Sequence, residues 1–304
     1  SGMQEISSGG TGTVVTMTSG EQNIYSDGTG TVSTMNDGGQ YITSGTGTIS
    51  TMSGGYQEIS SGTGTVSTMS GGEQNIYSGG TGTISTMSGG LQEISSGGMG
   101  TVSTLNGGSQ IISSGGTGTV DIMSGGMQEI VSGAGMISTM NSGLQNIRAG
   151  GTGTVSTLSG GSQSIDSGGT GTVSIMLDGP QNYQNISSGG TGTVDIMSGG
   201  SQNIVSGAAG TINTMHDGMQ AISSGCTGTV SAMNGGWQTI SSGGIGTVSA
   251  MNGGTQAVNS GGTALDTVIA GGTQQVSVGA VISGATLSAG IQQVYDGTNL
   301  NNII

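Results

Sequence analysis

Lysine, phenylalanine and long apolar runs are all missing from this chain, and each absence closes off a class of function. One arginine (Arg148) and one histidine (His216) stand against fifteen Asp plus Glu, for a net charge of −14. Without a basic surface the chain cannot neutralise phosphates, so nucleic acid is excluded as a partner, and the same acidity repels an anionic membrane. Only 5% of the residues are charged, against roughly a quarter in an average globular chain. The single cysteine, Cys226, forbids an internal disulfide and suits a chain that crosses membranes unfolded. No apolar run reaches the roughly 18 residues that a membrane-spanning helix needs. No secretory signal opens the sequence either, because SGMQEISSGG begins inside a repeat. Ser1-Gly2 reads as a cloning remnant and Ile303-Ile304 as an end without a cap, so a piece of a longer protein is expected.

What is abundant is glycine, 69 residues of it, arranged with a period. Glutamines recur from Gln4 to Gln292 in sixteen steps of mean length 18, each heading a unit of the form xQxIxSGG followed by TGTVSTMSGG. Three steps are one residue short, and one is lengthened by an insertion in LDGPQNYQNIS that holds the only proline, Pro180. Two Gly-Gly pairs per unit exclude helix, which leaves short strands punctuated by SGG, NGG or DG turns. The residue after each glutamine varies among Glu, Asn, Tyr, Ile, Ser, Ala and Thr and is expected outside, whereas the glutamine and the Ile or Val two residues on hardly change. Val14, Val32, Ile49 and Val66 form a second inward row, and Met17, Met35, Met52 and Met69 a third.

One such coil cannot bury its apolar side alone, but stacked neighbours bury each other's. The fold class expected is therefore all-β, a parallel β-helix solenoid of about seventeen 18-residue coils, with glutamine amides bonding along its axis. Stacking at about 4.8 Å per coil gives a length on the order of 80 Å. Residues 1–304 read as one β-helical unit, with regular methionine-bearing coils over 1–262 and divergent coils over 263–304.

Chemistry is sparse. GGTGT matches the start of a calcium-binding nonapeptide, but Val14, Val120, Val155, Val173 or Val194 stands where the metal-binding Asp belongs, and only Asp266 has the right offset, so calcium is not expected. Polysaccharide-cleaving β-helices need paired carboxylates, whereas Glu5, Glu58, Glu93 and Glu129 alternate with neutral residues at surface positions. His216 occupies a turn position and Cys226 replaces a turn glycine, so neither reads as catalytic, and no enzyme activity or cofactor is expected. The GxG and SGG patterns precede no helix and are not phosphate loops. Asn185-Ile186-Ser187 matches an N-glycosylation sequon as chance allows in so Asn- and Ser-rich a chain. Tyr25, Tyr77, Trp237 and Tyr295 read as scattered surface aromatics. The TGT pairs also raise ice binding, which mixed outer faces and glycine corners disfavour.

The unit is clearest in SGGTALDTVIAGGTQQV, from Ser260 to Val276, which resembles the short repeats of AIDA-type autotransporter adhesins; SGGTGTVSTMSGGxQxI looks most like the glycosylated adhesin and invasin members. The resemblance covers essentially the whole chain and rests on the periodic pattern. It implies a right-handed β-helix, display on the surface of a Gram-negative bacterium through an outer-membrane barrel, and O-heptosylation of serines by a dedicated heptosyltransferase. It further implies adhesion to host cells through those heptose glycans, and self-association between cells that gives aggregation and biofilm.

Outward parity then selects the expected acceptors. In the second strand they are Ser33, Ser50, Ser67, Ser85, Ser103, Ser138, Ser156, Ser174, Ser231 and Ser249. After the first strand they are Ser7, Ser60, Ser95, Ser113, Ser187, Ser223 and Ser241. The corner row beginning Ser8, Ser26 and Ser44 has inward parity and is expected to bond the turn. The competing structural expectation is a bare stalk or a glycan-independent self-associating segment.

Overall fold

A computed structural model describes residues 2–295 and, for the backbone alone, 298–300; Ile303-Ile304 lie outside the described residues. Its elements are strands throughout, joined in parallel as a β-solenoid of about 16 turns spaced by about 18 residues. The chain divides into two compact units, Ser1–Asn146 with Gly151–Gly153 and Ile147–Gly150 with Thr154–Ile304.

One coil of the first unit shows the plan. The glutamine strand Glu73–Ile76 ends in a corner, the threonine strand Gly80–Met87 follows, and a second corner leads to the next glutamine strand, Leu91–Ile94. Neighbouring coils pair residue for equivalent residue, Gln74↔Gln92 and Ile76↔Ile94 in one ladder and Thr83↔Thr101 and Ile84↔Val102 in the other. Identity of register follows from the repeat, because a slip of one residue would turn every Ile and Val outward.

Between Ile84 and Met87, both fully buried, two residues intervene where simple alternation allows one. The pairing skips Ser85 and resumes at Thr86↔Thr104, so the strand bends at the serine and brings a second inward side chain round to the core. The buried rows are therefore Gln, Ile, Val or Ile, and Met, with Leu105 and Leu158 replacing methionine. Unbranched Met suits a thin core with irregular gaps.

The buried glutamines satisfy one another. Each Nε2 donates to the Oε1 of the glutamine one coil earlier, at 2.6 to 2.7 Å from Gln22 to Gln145 in the first unit. The same ladder runs from Gln184 to Gln292 in the second unit. A buried amide left unpaired would cost about 1–3 kcal/mol, so the ladder turns an expensive core residue into a register lock.

The glycine of TGT faces inward and is there for space. A Cβ at Gly82 would lie 2.3 Å from Ile76 Cδ1 and 2.6 Å from Gln74 Oε1, which already fill that volume. From Thr263 the pattern changes: the threonine strand splits into Thr263–Leu265 and Val268–Ile269, and Ala264 fills the glycine's place. The insertion around Pro180 is tied down by Asn182 Nδ2, which donates to the Leu177 carbonyl at 2.8 Å, and by the Tyr183 hydroxyl, which donates to the Pro180 carbonyl at 2.7 Å.

Candidate modification and contact surface

Because Gly82 points in, Thr81 and Thr83 both point out, and register repeats the pair at Thr63 and Thr65 in the adjoining coil. Beside these threonine columns stand the serines of the bend. Ser50, Ser67, Ser85, Ser138, Ser231 and Ser249 are exposed, and Ser33, Ser103, Ser156 and Ser174 are half-buried. In the row after the glutamine strand, Ser7, Ser60 and Ser241 are exposed, and Ser95, Ser113, Ser187 and Ser223 are half-buried. All of them lie on the outer surface. One is engaged: the Ser187 hydroxyl donates to the Asp166 carboxylate of the coil before it.

The corner row departs from its expected place. Ser8, Ser26, Ser61, Ser78, Ser96 and Ser114 are exposed rather than turned inward. The reason is that alternation holds only along extended chain and is reset at a turn. Ser96 and Gly97 have φ of +52° and +80°, and the Gly98 N–H donates back to the Ser95 carbonyl at 2.9 Å, closing a two-residue turn of the primed kind. Ser8, Ser26, Ser96, Ser114, Ser167, Ser188 and Ser206 share this left-handed backbone. For an L-residue it costs about 1–2 kcal/mol. The bond to turn backbone expected of this row occurs at Ser44 and Ser132, whose hydroxyls accept from the Ser26 and Ser114 N–H groups at 2.9 and 3.0 Å. Both sit in corners one residue shorter than the usual SGG, as Ser61 does without such a bond.

The two corners of each coil differ in their surroundings. At Gly9, Gly97, Gly115 and Gly168 of the first corner, an added Cβ would have no heavy atom within 4 Å. At Gly54 and Gly71 of the second, it would meet a carbonyl oxygen of the preceding coil at 2.3 and 2.5 Å. At those four glycines the first corner stands clear of its neighbours, whereas a Cβ at Gly243 or Gly261 would meet the Ser224 or Ser242 Oγ at 2.7 or 2.5 Å; the second corner lies against the coil before it.

All six glutamates, Glu5, Glu21, Glu58, Glu73, Glu93 and Glu129, fall in the first unit beside the buried glutamines. No two stack directly: Glu58 is flanked in register by Tyr41 and Asn75, and Glu73 by Tyr56 and Leu91. That spacing avoids like charges on adjacent coils and presents a solvated acidic strip. Within it Tyr41 and Tyr56 meet edge to face, ring centroids 5.3 Å apart, with their hydroxyls hydrogen-bonded. That hydrogen bond, with burial and the nearby Glu21 and Glu58, holds the Tyr41 phenol above its ordinary pKa. Burial, with Glu58, Glu93 and Glu73 around it, raises Tyr77 as well. The sequence carries a signal for the tyrosine pair, one residue after Gln40 and one before Gln57, but it is visible only once diagonal neighbours on adjacent coils are compared.

Cys226 is buried at the last position of its turn, its thiol 3.5 Å from the Ser224 carbonyl, and His216 is exposed at a second corner. Trp237 and Tyr295 are exposed, as Tyr25 and Tyr77 are.

No protein-family model matches this chain, and no curated protein matches it. Among solved structures, the chain is similar to one described as the TibC-catalysed hyper-glycosylated fragment of TibA, at 25% identity over 99% of this chain and 92% of that one, with a TM-score of 0.43.

Proposed function

We propose that this chain belongs to the passenger of an adhesin displayed on the surface of a Gram-negative bacterium, with outward serines that accept O-linked heptose from a bacterial heptosyltransferase. The observation that carries the reading is the set of outward hydroxyl columns, threonines paired in register on adjacent coils with the bend serines beside them, and almost no long charged side chains near them. The resemblance of the repeat to AIDA-type adhesins supports it. The acceptors are the strand serines, from Ser33 to Ser249 at the bend and from Ser7 to Ser241 after the glutamine strand. Glycans in such rows contact host-cell surfaces, giving adhesion and invasion, and rows on neighbouring cells meet in aggregation and biofilm. The reading needs no active site.

A second reading draws on the glutamine ladder. Buried amide bonds from coil to coil suit a stiff, unmodified stalk or self-associating segment. The test is intact mass of the chain produced with and without a heptosyltransferase of this class, followed by binding of both forms to epithelial cells. A ladder of heptose increments, with stronger binding by the modified form, is the expected result. An unmodified mass in both preparations overturns the glycan reading, and equal binding by a modified and an unmodified form favours the stalk.

A further inference from the structure

We infer that the first-corner serines are an additional acceptor row for an activated sugar, and that they are modified ahead of the strand serines. The inference rests on the proposed glycosylation and adds to it a site that alternation along the sequence hides.

Three observations converge. The first is access: most of these serines are exposed, each is followed by a glycine except Ser26, which precedes Asp27, and at Gly9, Gly97, Gly115 and Gly168 the space around the missing side chain is empty. The bend serines lie beside the threonine columns, which are in register with those of adjacent coils, and several strand serines are half-buried.

The second is strain. Seven of the corner serines hold a left-handed backbone that glycine, asparagine or aspartate adopts more readily. Yet from Ser8 to Ser260 the position is serine with the one exception of Ala149, and it is never Gly, Asn or Asp. The second corner, built from the same residue types, exchanges Ser for Asn, His or Leu freely, as at Ser53, Asn106, His216 and Leu177. A turn kept only for its shape would drift in the same way, so the hydroxyl itself is what the first corner retains.

The third is that this hydroxyl is idle. Only at Ser44 and Ser132, in two of the three shortened corners, does it bond turn backbone among the described residues.

The step is substitution at the sugar. The serine Oγ attacks the anomeric carbon of a nucleotide-diphosphate sugar, the new C–O bond replaces the bond to phosphate, the nucleoside diphosphate leaves, and the serine proton passes to a base of the transferase.

The test is a time course. The unmodified chain is incubated with a serine O-heptosyltransferase of the class proposed above and its nucleotide-diphosphate heptose donor, with sites located by electron-transfer peptide mapping. Corner peptides are expected to reach half-modification several-fold sooner than peptides carrying only strand serines. A variant with the seven left-handed corner serines changed to glycine, which that backbone accepts, should stay folded and lose the early phase at those seven corners while the unchanged corners keep it. Sugar on strand serines with bare corners overturns the inference and leaves the proposed function standing. No sugar on either row overturns both.

Discussion

Regular and divergent coils of the second unit solve the same packing problem with different residues. In a regular coil Gly246 faces the core opposite Ile240, whose Cδ1 lies 2.4 Å from where a Cβ would be. One coil later the pair is Ala264 and Val258, and one coil after that Ile282 and Val276, all buried. Shortening the facing side chain by its Cδ1 makes room for a methyl and then for a larger group. The core thus conserves volume across the coil rather than residue type at either position. The divergent coil also turns the chain differently: Asp266, at φ +48°, is exposed, and Thr267 swings into the core where Ser249 faces out. Its hydroxyl donates to Gln256 Oε1 at 3.1 Å and gives the glutamine ladder a second donor.

The comparison breaks most visibly at a ladder rung. Gln238→Leu leaves Gln220 Oε1 without the donor it has at 2.7 Å and Gln256 Nε2 without its acceptor. Each buried orphan costs about 1–3 kcal/mol. In a long repeat array the loss is local, so hydrogen exchange by mass spectrometry is the measurement. Amides of the coils around Gln220, Gln238 and Gln256 should lose protection while distant coils keep it. The same change at Gln274 should cost less, because Thr267 still donates to Gln256 Oε1. Equal losses at the two sites would mean that the threonine bond contributes nothing.

Next in size is the volume exchange itself. Gly246→Ala should cost about 1–3 kcal/mol through overpacking against Ile240, and Ile240→Val should cost about 0.5–1.5 kcal/mol through a cavity. Combined, they reproduce the Ala264 and Val258 pair, and the double variant should be more stable than the sum of the two single effects. Simple additivity would separate the two positions and remove the explanation for inward glycine in TGT.

These effects mark where the sequence is transparent and where it is not. The period, the inward Gln, Ile, Val and Met rows and the variable outward residue after each glutamine are all legible, because ladders of like residues need constant chemistry on one side only. The inward glycine is hidden, since glycine between two threonines reads as flexibility until Ile76 Cδ1 is seen filling its space. The bend at Ser85 is hidden because two outward residues in succession violate the alternation by which strands are read. The exposed corner serines fail for a related reason: counting in from Ile94 through Ser95 assigns Ser96 to the core, and a φ of +52° cancels the count. Local backbone sign is not a compositional property when serine takes a place that asparagine or glycine would announce.

The smallest effect probes the divergent coil alone. Thr267→Val keeps the buried volume and removes one hydroxyl. Gln256 Oε1 retains the Gln274 Nε2 donor at 2.6 Å, so no buried acceptor is orphaned, and the loss should stay within about 0.5–1.5 kcal/mol, the net worth of one hydrogen bond. Exchange should quicken only in the peptides carrying Gln256 and Gln274. If Thr267→Val instead loosened the coil as strongly as a missing rung, the threonine would be holding the inward turn of the whole segment after Asp266. An Asp266→Gly change would then separate the two roles, since glycine accepts φ +48° without strain and should leave Thr267 in place.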